Sequence, residues 1–235
     1  MLPVPPASRT PPPSNLPPRR PPTWPERIAA LRTDPAFATH LDLLAAAEQA
    51  APTATNALSM ARLPDLEAAV RARVGHGTGW AVVTTFVEPG ADARALRAAY
   101  LDFDRLGEWT GKQSTTVVER RGDVTVVRSD GIRTAFGLRF GARWRFETRV
   151  VERDGLQALV TRKVDDPDTI SMVETRGLLL LVPEAGGVRS VETSASLLDY
   201  EVPALLQKLA AGMALNEMKA RSVGIRTHWR EYVGN

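Results

Sequence analysis

The chain has 235 residues, 43% of them hydrophobic and 24% charged, which is enough apolar material for a sizeable core and excludes disorder along the whole length. Thirty basic residues are nearly balanced by 27 acidic ones, for a formal charge of +3, and no basic stripe with interleaved aromatics stands out, so nucleic acid is not an expected partner. With no cysteine, disulfides, thiolate nucleophiles and cysteine-bound zinc are excluded.

Eleven of the 18 prolines fall in the first 25 residues. Residues 1–25 therefore read as a disordered proline-rich tail that favours extended polyproline II and has no apolar face to bury. The same composition leaves open a partner that recognises proline motifs. Residues 26–75 read as a helical extension packing on the domain. Pro25 opens the first helix, and Asp34-Pro35 opens a second in which Phe37, Leu41, Leu44 and Ala45 share a face. Pro64-Asp65 opens a third, before the break at Gly75-His76-Gly77-Thr78-Gly79.

From Trp80 the period changes. Residues 80–87 are rich in β-branched side chains and predict a strand. Asp92 is placed to cap a short helix that breaks at Gly107. Strands are then expected at 114–120, 123–129, 133–140, 142–152, 156–164, 169–183 and 188–200, separated by turn signals such as Arg121-Gly122-Asp123 and Gly186-Gly187. Alternation is clearest in 142–152, where Trp144, Phe146, Thr148 and Val150 point one way and Arg143, Arg145, Glu147 and Arg149 the other.

After Pro203 one long helix runs to about Tyr232. Leu205, Leu209, Met213, Asn216, Ala220 and Val223 form one stripe, and Leu215, Met218, Ile225 and Trp229 fall on roughly the opposite side. The first stripe is expected to face the sheet and the second to receive the N-terminal helices.

The segment from Asp102-Phe103 to Trp109 resembles the signature that ends the first helical segment of the polyketide cyclase/START/birch-pollen-allergen superfamily. Leu178 to Pro183, the Gly186-Gly187 turn and the strand ending at Asp199-Tyr200 resemble the last hairpin of the same group, and Pro203 matches the start of its long helix. One departure is Gly107-Glu108, where many relatives carry a proline just before the tryptophan. The resemblance covers residues 80–232. It implies an α+β helix-grip fold: a curved seven-stranded antiparallel sheet wrapped round the long C-terminal helix, here with an extra N-terminal helical segment. It also implies a ligand cavity between sheet and helix.

The inward positions nominate Phe136, Leu138, Phe140, Trp144, Phe146 and Met172 on the strands, Leu209, Met213 and Asn216 on the helix, and Trp109 near the mouth. Each apolar one reads equally well as plain core. Asn216, an amide inside an apolar stripe, needs partners from the sheet, from water or from a ligand. Glu174 and Arg176 share a strand face. Turned inward they would grip a head group or serve acid–base chemistry, and turned outward they are surface charges. His40, His76 and His228 lack metal-ligand spacing, no serine sits in a nucleophile elbow, and no cofactor or metal is expected.

The expected function is binding or transport of a hydrophobic small molecule such as a lipid, isoprenoid or polyketide-like compound. A cyclase, aromatase or hydrolase using the same cavity is the alternative, and an interaction scaffold recruited through the proline-rich tail is another. No apolar run reaches the ~18 residues of a membrane-spanning helix, which leaves a transient membrane contact open. Residues 1–6 lack the pattern of a signal peptide, so the default location is the cytoplasm, and a removed signal leaves no trace in the sequence.

Overall fold

The structure, a computed structural model, describes residues 20, 22–50, 57–61, 78–110, 114–135, 138–153, 155–199 and 204–234. At 57–61, 78, 80, 110, 133–135, 138–140, 204–211, 213 and 214 it describes the backbone only.

The chain enters through α1 (Trp24–Arg32), whose first turn holds Pro25. The Glu26 carboxylate accepts from the Thr23 backbone N–H at 2.7 Å and from the Thr23 hydroxyl at 2.8 Å, closing the helix start. A 3-10 turn at Pro35–Phe37 follows, with Asp34 accepting from the Ala36 amide at 2.9 Å. It leads into α2 (Leu41–Ala50). The expected single helix over this stretch is therefore two pieces. Phe37, Leu43, Leu44 and Ala47 are buried, whereas Leu41 is exposed. The extension also holds β1 (Ala57–Ala61), a strand where a helical segment was expected. The third expected helix and His76 lie outside the described residues.

β2 (Thr78–Pro89) begins the part anticipated from strand periodicity. Asp92 caps α3 (Ala93–Leu101), accepting from the Arg94 amide at 3.2 Å. The helical stretch breaks at Asp102, not at Gly107. The Asp102 carboxylate accepts from the Arg105 amide at 3.3 Å and so starts α4 (Phe103–Thr110), which runs through Gly107.

Then come β3 (Ser114–Arg121), β4 (Val124–Asp130), β5 (Arg133–Ala135) and β6 (Leu138–Phe140). They are followed by β7 (Arg143–Arg153), β8 (Leu156–Val164), β9 (Met172–Glu184) and β10 (Gly187–Leu198). α5 (Ala204–His228) and a 3-10 turn (Trp229–Tyr232) end the described chain.

The main sheet is antiparallel and curved, in the order β1-β2-β10-β9-β8-β7-β4-β3. Seven strands are the expected ones and β1 adds an eighth at the edge. The stretch expected as one strand at 133–140 is instead a two-stranded hairpin of its own, β5 with β6.

Both faces of the sheet are covered. On the outer face Leu178, Leu180, Val182, Val191, Ala195 and Leu197 pack with Ile28, Leu31, Phe37, Leu43, Leu44 and Ala47. On the inner face Leu159, Leu179, Leu181, Val188 and Phe146 pack with α3, α4, Ile225 and Trp229.

This arrangement corrects the expected role of the two stripes of α5. Ile225 and Trp229, from the second stripe, are buried against the sheet, while Val223 of the first stripe is 53% exposed. Among the described residues, α1 and α2 pack on the opposite face of the sheet and not on α5. The reason lies in β8, β9 and β10. Their outward positions are as apolar as their inward ones, and such a surface needs its own cover.

Candidate functional site

The inner face divides into two zones along the strands. Toward the β9–β10 turn it is filled. Leu159, Leu179 and Leu181 are buried beneath α3 and the C-terminal half of α5. Phe103 meets Phe146 edge to face, with ring centroids 5.6 Å apart. Two ion pairs tie α5 down here: Arg221 to Glu192 at 2.7 Å and Arg226 to Glu88 at 2.7 Å. Arg226 also lies over the Phe86 ring, 5.1 Å from its centroid. Tyr100 is buried beside Glu192, and burial first, then that carboxylate, holds its hydroxyl protonated far above the usual tyrosine range.

Toward the other end the inner face is polar and partly open. Register places Thr125 (β4), Thr148 (β7), Thr161 (β8), Gly177 (β9) and Ser194 (β10) side by side across five strands. Thr148 and Thr161 share a hydroxyl hydrogen bond of 2.8 Å, and Thr175 and Ser196, one pleat further along, share one of 3.3 Å. Thr161, Gly177, Ser194 and Ser196 keep partial exposure. Their outer-face neighbours Val160, Leu178 and Ala195 are sealed.

The predicted site residues separate into groups. Trp144, Phe146 and Met172 are on the inner side, with Met172 clustered with Ala142, Leu198 and Trp144. The Trp144 indole N–H is buried with no hydrogen-bond partner among the described residues.

Glu174 and Arg176 lie on the outer face, paired in register with Leu197 and Ala195 of the outer core. Arg176 donates to Asp42 of α2 at 2.8 and 3.1 Å and to the Thr39 carbonyl. It fastens the extension on the outer face. The bulge in β9 opposite Leu197 and Leu198 turns Met172 inward.

Asn216 is exposed on the far side of α5. There it lines a surface groove of about 460 Å³ with Trp109, Lys219, Ala220, Val223, Gly224, Thr227 and His228. Trp109 of α4 faces α5. Its ring lies on Gly224, where an added Cβ would meet the indole at 2.6 Å, and it stacks parallel to His228 at 5.6 Å. The aspartate, phenylalanine and tryptophan of the 102–109 signature are thus a cap, a core residue and a helix–helix joint. Leu138 and Phe140 sit on the separate β5–β6 hairpin and not on the main sheet. Phe136 and the side chains of Leu209 and Met213 lie outside the described residues.

The polar inner residues were missed because polar positions in a strand are by default assigned to solvent. The sequence does carry their signal. Ser190, Glu192, Ser194 and Ser196 alternate with Val191, Thr193, Ala195 and Leu197, and it is the second set that faces the buried outer layer. His40 is 1% exposed. Its Nε2 donates to the Thr161 carbonyl at 2.8 Å, and its Nδ1 accepts from the Thr39 hydroxyl at 3.0 Å. Burial is the main force lowering its pKa.

Among the described residues no group of His, Asp or Glu could hold a metal ion, and no helix is long and apolar enough to cross a membrane.

No protein-family model and no curated protein sequence matches the chain. Among solved structures it is similar to a protein from Thermus thermophilus, at 21% identity over 65% of this chain and 98% of that one, with a TM-score of 0.49. It is similar to a STAR-related lipid transfer protein from Xanthomonas axonopodis, at 13% identity over 74% of this chain and 98% of that one, TM-score 0.49. It is also similar to the Zhui aromatase/cyclase from Streptomyces sp. R1128, at 12% identity over 67% of this chain and 96% of that one, TM-score 0.49. An antiparallel sheet in this order, a helical pair after β2 and a long C-terminal helix on the inner face make the fold of this chain a helix-grip fold, as the resemblance in its sequence implies.

Proposed function

We propose that the chain binds a hydrophobic small molecule, of the lipid, isoprenoid or polyketide-like kind, in the groove between the inner face of the sheet and α5. The observation that carries this reading is an asymmetry of cover. The middle strands are sealed on their outer side, yet Thr161, Gly177, Ser194 and Ser196 on the inner side keep contact with solvent. Inward side chains in the centre of a well-packed sheet are normally shut off, so residual exposure there is what a ligand cavity produces. Trp144, Phe146 and Met172 supply apolar wall, and burial of a ligand against it is worth ~25 cal/mol per Å² before ordering costs.

Native mass spectrometry of the purified protein, before and after organic extraction, tests the reading. A co-purifying small molecule, or uptake of one member of a lipid panel by the extracted protein, is the expected result. No bound mass and no uptake from the panel would remove it.

The enzymatic alternative is weakened, since Glu174 and Arg176, its acid–base candidates, are on the outer face. Recruitment through residues 1–25 is a separate proposal, checked by pull-down with proline-recognising modules.

A further inference from the structure

α5 has a second face. Ile225 and Trp229 are buried against the sheet. Asn216 and Ile225 are nine residues apart, which at ~100° per residue puts them on opposite sides of the helix. The groove of about 460 Å³ that Asn216 lines therefore runs along the outside of α5, apart from the space over the inner face. Its volume falls within the range of small-molecule sites, about 300–1,000 Å³.

The floor of this groove is apolar and its wall is held in place. Ala220, Val223 and Gly224 form the floor, and Val223 is 53% exposed on it. Trp109 forms the wall. The indole rests on Gly224, stacks on His228, and has the Arg105 guanidinium 5.3 Å from its ring centre. Arg105 is anchored in turn by Glu231 at 2.6 Å. A ligand meeting this wall has little side-chain freedom left to freeze.

The charge of the groove is one-sided. Lys219 and Asn216 are exposed, and neither makes a hydrogen bond or ion pair with another described residue. Three apart on one helix, they are surface neighbours, about 5–6 Å apart at Cβ. The Trp109 indole N–H is another unused donor, buried and without a partner among the described residues. No carboxylate lines the groove among the described residues. The nearby acids are engaged, Glu231 with Arg105 and His228, and Glu217 with a partner of its own.

We propose that this outer groove binds a small aromatic carboxylic acid. Its carboxylate meets the Lys219 ammonium and the Asn216 amide, and its ring lies over Ala220 and Val223 against Trp109. The two oxygens of one carboxylate can accept from two neighbouring donors at once. An aromatic ring gains from the edge or face of the fixed indole as well as from apolar burial. A cation placed there would face Lys219 with no free carboxylate to offset the repulsion.

The test uses the full chain labelled with nitrogen-15 and three probes of one shape: 2-naphthoate, its uncharged amide, and 2-naphthylmethylammonium. Binding is followed at the indole N–H resonances, assigned with Trp109→Phe and Trp144→Phe. Trp109 reports on the outer groove and Trp144 on the inner face. 2-Naphthoate should shift the Trp109 signal saturably, with a Kd of about 1 mM or tighter. The amide should bind about fivefold more weakly, the worth of one solvent-facing ion pair, and the cation more weakly still. Lys219→Gln should bring 2-naphthoate to the level of the amide and leave the amide unchanged. Lys219 has no partner to lose, so that change does not act through the fold. Salt raised from about 0.05 M to about 0.5 M should weaken the acid and not the amide.

Equal binding of acid, amide and cation overturns the proposal, and so does undiminished 2-naphthoate binding in Lys219→Gln. A shift at Trp144 without one at Trp109 also overturns it, and leaves the proposed function of the inner groove standing. No shift at either indole overturns it as well.

Discussion

The two faces of the sheet are both buried, but they are buried differently. The outer face meets α1, the 3-10 turn and α2 in a layer whose core residues are apolar, with Ile28, Phe37, Leu43 and Leu44 fully enclosed against Leu178, Leu180 and Val191. The inner face is apolar only where α3 and the end of α5 press on it. Elsewhere it carries Thr125, Thr148 and Thr175, and Ser190 and Glu192 sit among the apolar residues under α3 and α5, all five shut off from water. The outer layer buries fewer polar groups, among them His40 and Thr193, and these two are paired. The outer layer is therefore the more uniformly apolar one, and the inner face mixes packed and polar zones.

That contrast is open to direct attack. The largest effect is expected from removing the cover. Deletion of residues 1–50 bares the outer apolar face, and the product should aggregate or fail to elute as a monomer in size-exclusion chromatography. A well-behaved truncated monomer with native near-ultraviolet circular dichroism would show that the outer layer is dispensable.

Point substitutions give a finer comparison. Leu180→Ala, in the outer core, should cost about 2–5 kcal/mol in urea unfolding, whereas Thr148→Val on the inner face should cost less than about 1.5 kcal/mol because the shape is kept and one modest hydrogen bond is lost. Similar losses for the two would erase the distinction between the faces.

Gly224→Ala examines how α4 and α5 meet on the inner side. Its new methyl group collides with Trp109, and a cost of about 1–3 kcal/mol is expected. Carrying the same change in a Trp109→Ala background should remove most of that cost, and full additivity of the two would show that the contact does not matter.

The smallest effect concerns pH. His40 is buried between α2 and β8, and burial, with Arg176 and Arg162 near it, favours its neutral form, while Asp42 opposes this. Its folded pKa lies below the unfolded value of about 6.5, so the unfolded chain takes up the proton first. The stabilisation is complete above about pH 6.5 and is lost as pH falls through the folded value. The urea midpoint should therefore drop between pH 7.5 and pH 5, and His40→Gln should flatten that slope. An equal slope in the variant would place the acid sensitivity elsewhere.

How much of this was legible in the sequence varies by element. The strands from 114 to 130 and from 142 to 198 were visible because each alternates and each is closed by a glycine or aspartate turn. Gly122, Gly155 and Gly186 do adopt the left-handed conformation such turns use. The cap at Asp92 and the long C-terminal helix were visible for equally local reasons. The break at Asp102 was not, since the aspartate both ends one helix and starts the next, and glycine five residues later is the louder signal. Trp144, Phe146 and Met172 were found because large apolar side chains on an alternating strand face a core. Thr148 shares the inward face of Trp144 and Phe146 but carries no apolar signal of a site, and Thr161, Ser194 and Glu192 are harder to find because a polar residue in a strand reads by default as exposed.

By itself the sequence determined most of the strands, the turn positions and the long C-terminal helix, since these follow from period, capping and turn chemistry within a few residues, and it pointed to the fold class through its resemblance to a known superfamily. Only the tertiary structure decided which side of each element is in. α5 is apolar on two sides, and neither its period nor its composition says which side meets the sheet. β8 to β10 are buried on two sides, so alternation cannot say which set lines the groove. Those choices were made by contacts between residues far apart in the chain, Ile225 with Leu179 and Leu181 on one face, Leu44 with Leu178 and Leu180 on the other. The Arg176–Asp42 pair is the plainest case: two charges with no local reason to meet are held together because the outer face needed a cover.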